Sequence, residues 1–300
     1  TLNAGLSVHP CPGYTKRDIL GNASKALVHA GFLGTDSQVL FDAVSLNING
    51  DRLYEAGRMD KAVEEFRRAL NLDPSNANVR NSLGVCYAQM GRFEDALAEF
   101  SRIAELEPSD FMPHYNLGCA LLGLDREAEA ERAFSQAAEM EPQNAGIWFQ
   151  LAKLCKRQNR LREAVAHLSK AVELKSNWVQ AWRLLGECLL EQGAVDSAMN
   201  AFKKALKLNG KDGAAMSGLA LAYGLVEANL EIALSLARRS TELEPDNPLF
   251  AQRLAELFLQ NRNLDEAMEE CARAMSMGPK NTQLRQLKNK IAAAQRDSTS

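Results

Sequence analysis

The stretch GRMDKAVEEFRRALNLDP at residues 57–74 returns 34 residues later as GRFEDALAEFSRIAELEP at residues 91–108. A period of this size is the strongest constraint in the chain. One such unit cannot bury an apolar face by itself, so successive copies must shield one another in a stacked array. Prolines keep the beat at Pro74, Pro108, Pro142, Pro245 and Pro279, with Ser176 and Gly210 at the two places where a proline is missing. The step is 34 residues throughout, except for a single step of 35 before Pro245.

Within the period, three rows of residues predict two helices per unit. Alanine recurs in the second helix at Ala62, Ala96, Ala130, Ala164, Ala198, Ala233 and Ala267. A small residue recurs in the first at Gly50, Gly84, Gly118, Ala152, Gly186, Ala220 and Ala255. Small side chains at fixed points let helix backbones approach, and larger apolar residues such as Leu83, Tyr87 and Phe100 fall between them at helical spacing. The third row is Asp42, Asn76, Asp110, Asn144, Asp212, Asn247 and Asn281. Each can accept a hydrogen bond from the first turn of the helix that follows. The row lapses at Trp178, where neighbouring Asn177 is expected to substitute.

These rows resemble the tetratricopeptide repeat, whose signature is a bulky residue, Leu-Gly, Tyr, Ala, Phe, Ala and Pro at set offsets. The second unit carries Leu83-Gly84, Tyr87, Ala96, Phe100 and Pro108, and the fourth and fifth carry Trp148 and Trp182 at the bulky position. The resemblance covers residues 43–281 as seven units: 43–76, 77–110, 111–144, 145–178, 179–212, 213–247 and 248–281. It implies an all-α fold, a right-handed superhelix of seven helix-turn-helix repeats. The sixth unit departs most, with its extra residue near Asn229 and Ala237 in place of the usual Phe, so a longer inter-helix turn is expected there. Residues 282–300 supply a capping helix, with Leu284, Leu287 and Ile291 on one face and Arg285, Lys288 and Lys290 elsewhere, and a disordered RDSTS tail.

Residues 1–42 do not repeat. TLNAGLSV alternates like a strand, RDILGNASKALVHAGFLG reads as a helix with Ile19, Leu20, Ala23, Ala26 and Leu27 on its apolar side, and SQVLFD reads as a second strand. This small α/β segment has too little core to stand alone. Through Asn3-Ala4-Gly5, Ala23-Ser24-Lys25-Ala26-Leu27, Gly34-Thr35-Asp36 and Val39-Leu40-Phe41 it resembles the C-terminal end of a GGDEF-type diguanylate cyclase domain. The family's glycine-rich active-site hairpin is absent from the chain. Gly31 and Thr35 stand where the family has phosphate-facing Lys and Arg. Losing both cations removes the attraction a nucleotide needs, so the resemblance carries over no catalytic residue. The chain begins without Met and reads as part of something longer, either cut inside a cyclase domain or fronted by a decayed one.

The rest of the composition narrows the function. The formal net charge of −3 gives no global positive field for nucleic acid or anionic lipid, and no apolar run approaches the ~20 residues of a spanning helix. Cys11, Cys86, Cys119, Cys155, Cys188 and Cys271 form no CxxC pair; the middle four follow the repeat period, as small side chains at helix interfaces would. Such cysteines fit a reducing cytoplasm. His9, His29, His114 and His167 make no metal-ligand spacing, and no P-loop, GxGxxG or GxSxG is present. Glu64 and Glu65 read as a solvated helix face. Neither an enzyme, a cofactor nor a metal is expected.

Stacked helix pairs expose a long concave surface, and in the resembled family the first helix of each pair lines it. At 100° per residue the fourth unit places Trp148, Leu151, Ala152 and Cys155 on the core side, and Phe149, Lys153, Lys156 and Arg157 on the open side. The equivalent open positions are Asn81, Val85 and Gln89 in the second unit, Met112, Tyr115, Cys119 and Leu122 in the third, and Arg183, Glu187, Leu190 and Glu191 in the fifth. Read in order, the surface runs polar, apolar, basic, mixed. It suits a protein or peptide segment with an apolar anchor and acidic residues nearby. The carboxylate clamp of some relatives is not expected, since Asn47 and Asp51 stand nearest its Lys and Asn. Two other functions are weighed against this scaffold: a regulatory part of a signalling protein whose cyclase lies upstream, and self-association through strand edges at 1–8 and 37–42.

Overall fold

The structure is a computed structural model that describes residues 2–9, 11, 14–226, 229–278 and 282–299. At the front, strand β1 (Ala4–Leu6) pairs in parallel with β2 (Gln38–Leu40), and helix α1 (Ile19–Phe32) joins them. Helix pairs follow: α2 (Ala43–Glu55) with α3 (Met59–Leu72), α4 (Ala77–Gln89) with α5 (Phe93–Leu106), and α6 (Phe111–Gly123) with α7 (Glu127–Met140). They continue as α8 (Ala145–Arg157) with α9 (Leu161–Leu174), α10 (Val179–Glu191) with α11 (Val195–Leu208), α12 (Gly213–Leu225) with α13 (Leu230–Leu243), and α14 (Pro248–Gln260) with α15 (Leu264–Met277). Helix α16 (Thr282–Thr299) follows the last pair. The expected all-α class with a small α/β element in front therefore stands, and the chain divides into two compact units, residues 1–142 and 143–300.

Each helix pair is built the same way. The predicted caps form: Asp42, Asn76, Asp110, Asn144, Asp212 and Asn247 each accept a first-turn backbone N–H. Asn281 lies outside the described residues, as does Pro279. The lapse at Trp178 is not repaired by Asn177: Trp178 is itself the N-cap residue and α10 has no side-chain cap.

Small first-helix residues meet second-helix rings. A Cβ on Gly50, Gly84, Gly118 or Gly186 would stand 2.4–2.7 Å from the ring of Phe66, Phe100, Phe134 or Phe202. Where the first helix carries Ala instead, the partner shrinks, as in Ala152 with Leu168, Ala220 with Ala237 and Ala255 with Cys271. The two positions trade volume, as close packing requires.

The three-residue turn inside each pair carries a feature that escaped the sequence reading. Gly57, Gly91, Asp125, Asn159, Gly193 and Arg262 occupy equivalent places, and all have positive φ. Arg262, at φ 63°, is the residue least suited to it. Arg262→Gly is expected to raise stability by about 1 kcal/mol, read as a higher Tm. A lower Tm would mean the arginine side chain contributes more than its backbone costs. The sixth pair has the expected longer turn, four residues between Leu225 and Leu230, of which Glu227 and Ala228 lie outside the described residues.

The first unit ends in the α/β element. Helix α1 buries Asn22, Ala26 and Ala30 rather than the predicted Leu20 and Leu27, both of which are exposed. The cause is close approach: a Cβ on Gly5 would stand 2.1 Å from the Ala23 carbonyl oxygen, so α1 lies almost on the backbone of β1 and presents small residues inward. Glu65 corrects another expectation. It is buried, not solvated, and its carboxylate takes Lys25 Nζ at 2.6 Å, Asn49 Nδ2 at 3.0 Å and Arg68 Nη1 at 3.0 Å. Lys25 thereby ties α1 to α3.

The second unit ends in α16, whose Leu284, Leu287 and Ile291 are buried as expected. The helix runs on to Thr299 through the tail expected to be disordered, because no Pro or Gly interrupts it after Thr282.

Candidate functional site

In both units the first helices of successive pairs touch, α2 with α4 and α4 with α6 in the first, α10 with α12 and α12 with α14 in the second. Each unit thus has one face lined by first helices, and the predicted site residues must be judged on those two faces separately.

On the first unit's face, Val85, Gln89 and Met112 are exposed. Asn81 is half-buried and accepts a 2.8 Å hydrogen bond from Asn116 Nδ2 of the next pair. Tyr115 is also half-buried, with its ring edge-on to Phe134 at 5.7 Å, so it rests on the core of its own pair. Leu122 is half-buried.

On the second unit's face, Leu151, Ala152 and Cys155 are buried as predicted, and Trp148 stacks on His167 at 5.5 Å. Phe149 packs on Trp178 of the next pair at 4.4 Å, with Lys153 Nζ 5.9 Å above Phe149 and Lys175 Nζ 5.1 Å above Trp178. Lys153 and Arg157 are exposed.

Lys156 and Arg183 of the expected basic patch face carboxylates of their own chain. Lys156 Nζ lies 2.5 Å from Glu187 and 3.4 Å from Glu191. Burial lowers its pKa, but the Glu187 hydrogen bond and the two carboxylate charges outweigh burial and leave it above the ordinary lysine value. Arg183 reaches Asp212 at 3.0 Å, the same buried carboxylate that caps α12, and Glu187 at 4.0 Å. These side chains stitch one repeat to the next, as Asn81 does in the first unit. The patch is therefore less basic than a reading along single helices suggests.

Stitching leaves a cleft. Lys156 from α8, Glu187, Leu190 and Glu191 from α10, Leu221 and Leu225 from α12, and Leu249 and Arg253 from α14 line a hollow of about 400 Å³, with Phe202 and Phe250 below. Leu225 and Leu249 are 57% and 45% exposed, so apolar surface is open to solvent inside a charged rim. Arg253 donates to Ser217 Oγ at 3.1 Å. Burial lowers the Arg253 pKa, opposed by the charges of Glu187, Glu256 and Glu191, and the guanidinium stays cationic. Leu221, Leu225, Leu249 and Arg253 were not among the residues expected from the sequence, because the cleft forms only where four successive first helices come together.

The residues that line the cleft include no Ser, Thr, Cys or His. No disulfide joins the six cysteines, and four of them are buried. Burial pushes Cys188 up to about 11, which makes it inert. Among the described residues no group of three His, Cys, Asp or Glu stands together as metal ligands would, and no helix is long and apolar enough to cross a membrane.

Comparison with known proteins fits this geometry. Descriptions of the tetratricopeptide repeat match residues 50–91, 77–110, 121–188, 179–212 and 227–291, and none of these matches reaches residues 1–42. No curated protein sequence matches the chain. Among solved structures it is similar to YrrB, described as a TPR protein with an unusual peptide-binding site, at 23% identity and TM-score 0.54 over 63% of this chain and 96% of that one. It is also similar to pilF of Pseudomonas aeruginosa, at 17% identity and TM-score 0.63 over 71% and 97% of the two chains. MamA matches at 25% identity and TM-score 0.50 over 54% and 95%. At such identities the likeness to YrrB and pilF carries the fold alone. The repeat matches together span well over half of the sequence, and the chain belongs to the tetratricopeptide repeat family.

Proposed function

We propose that the protein is a non-catalytic scaffold that holds a segment of a partner protein on its first-helix faces, and that the Leu221–Leu225–Leu249 cleft takes the partner's apolar anchor. One observation carries this: open leucine surface inside a charged rim, on the face that the repeat architecture leaves free. The peptide-binding site named for YrrB supports the same use of the fold. Exposed Lys153, on the same helix as the cleft's Lys156, favours acidic residues beside the anchor. In the first unit, Val85, Gln89 and Met112 offer a second contact surface. Residues 1–42 serve here as an end cap. Their resemblance to a cyclase tail rests on the sequence alone, and Gly31 and Thr35 leave it without the family's phosphate-facing cations. Six cysteines without a disulfide fit a reducing, cytoplasmic setting.

The test is a selection of random peptides displayed against the whole chain. Enriched peptides should share a large apolar residue next to Asp or Glu. Leu225→Glu with Leu249→Glu should weaken the best of them at least about 10-fold, since truncating a central anchor contact costs 1–2 kcal/mol or more. Both positions are exposed, so the fold should be unchanged. Failure to enrich any peptide, or unaltered affinity in the double variant, would remove the cleft from the reading.

A further inference from the structure

The chain holds two Asn-Gly pairs, and the fold treats them oppositely. Asn49–Gly50 lies inside α2, where the helix engages the Gly50 N–H and the Asn49 side-chain amide donates to buried Glu65 at 3.0 Å. Asn209–Gly210 lies in the turn between α11 and α12, and both residues are exposed. Gly210 stands where other repeats carry Pro74, Pro108, Pro142 and Pro245. A proline has no N–H, so the turn is built without an acceptor at this place. Gly210 has the N–H, and among the described residues it donates to no partner. Asn209 Oδ1 accepts the Lys211 N–H at 3.1 Å, while its Nδ2 donates to no described residue.

We propose that Asn209–Gly210 is a site of spontaneous modification, at which the asparagine amide is lost as ammonia and the main chain is rerouted through the side chain. The Gly210 nitrogen attacks Asn209 Cγ. The N–Cγ bond forms, the Cγ–Nδ2 bond breaks, and the displaced amino group leaves as ammonia with the proton of the Gly210 N–H. Water then opens the cyclic imide. Cleavage at Cγ gives aspartate, and cleavage at the main-chain carbonyl carbon gives isoaspartate, with an extra CH2 in the backbone. With Asn209 ψ at 95°, the attacking nitrogen points away from Cγ, so the reaction waits on rotation of this peptide. Little opposes that rotation: the Lys211 bond, and the Asp212 N–H on the Asn209 carbonyl at 3.2 Å. Glycine, without a Cβ, follows it freely. The two products differ in consequence. Asp73 occupies the equivalent place in the first repeat and accepts the Ser75 N–H at 3.2 Å, so aspartate suits the turn. Isoaspartate lengthens the chain just before Asp212, the buried carboxylate that caps α12 and receives Arg183. The join between the fifth and sixth repeats should loosen with it. None of this rests on the scaffold reading.

Incubation of the whole chain at mildly alkaline pH tests it, with peptide mass mapping and enzymatic methylation of isoaspartate to read each site. Conversion at Asn209 should run at least about 10-fold faster than at Asn49, whose groups are released only when α2 opens. Gly210→Pro restores the residue of the other repeats. Asn209 is already extended, as a residue before proline must be, and a Cβ on Gly210 would meet the Leu206 carbonyl oxygen at an ordinary 3.8 Å. That variant should fold like the wild type and lose the reaction at Asn209. Asn209→Asp should melt with the fresh wild type, and the isoaspartate-enriched chain at a lower Tm. Equal rates at Asn49 and Asn209, or an unaltered rate in Gly210→Pro, would overturn the proposal. So would an isoaspartate-enriched chain that melts with the fresh one.

Discussion

Phe202→Ala should destabilise the protein by about 3–5 kcal/mol, and hydrogen exchange should place the loss in the fifth and sixth repeats. Phe202 is fully buried, and two helices close on its ring at once. A Cβ on Gly186 of its own repeat would stand 2.7 Å from the ring, and one on Gly218 of the next repeat 2.5 Å. Removing the ring therefore opens a cavity shared by a pair and its neighbour. Because repeats contact only their neighbours, exchange should accelerate in α10–α13 before it does so in α16. A sign reversal makes the test specific. In the wild type, Gly186→Ala should destabilise, since its methyl group meets the ring. In the Phe202→Ala background the same change should stabilise, because the methyl enters vacant space and alanine favours helix over glycine by about 1 kcal/mol. The chain already uses that combination at Ala220 and Ala237. Equal effects of Gly186→Ala in both backgrounds would mean that the ring does not set the helix spacing.

That packing rule also shows what was legible beforehand. The rows of Gly, Ala and Asp/Asn recur at a fixed step, and a periodic signal survives individual lapses, so the helix pairs, their caps and their spacing could be read directly. What could not be read are the bonds that cross repeats. Lys156 to Glu187, Arg183 to Asp212 and Asn81 to Asn116 join residues 29 to 35 positions apart. On a single helix each of these looks like an exposed polar side chain. The basic groove was inferred from one helix at a time and lost two of its cations to carboxylates on the next. The turn residues with positive φ were hidden differently. Gly57, Gly91 and Gly193 announce the position, but Asp125, Asn159 and Arg262 occupy it with side chains that break the row. Glu65 was misread because its partner Lys25 lies in the segment that has no period at all.

Glu65 is for that reason the most consequential single charge in the first unit. Glu65→Ala should cost about 3 kcal/mol, because it strands Lys25, only 19% exposed, against α3 without a counter-charge. Lys25→Met should cost far less: its chain packs similarly, and Glu65 retains Asn49 and Arg68 as donors. The two substitutions break the same 2.6 Å pair, so their difference isolates the stranded charge from the lost bond. Urea melts measure both, and limited proteolysis locates the effect. In Glu65→Ala, cleavage within residues 1–42 should accelerate while α4–α7 stay protected, since the lost pair helps dock α1 on the first repeat beside the His29–Ser45 contact. Raised salt should leave the difference between the two variants nearly unchanged, because a shielded pair is screened little. If Glu65→Ala costs less than about 1 kcal/mol, the network behaves as a surface pair, and the packing of Ala26 and Ala30 with Leu46, beside the His29–Ser45 contact, holds the cap.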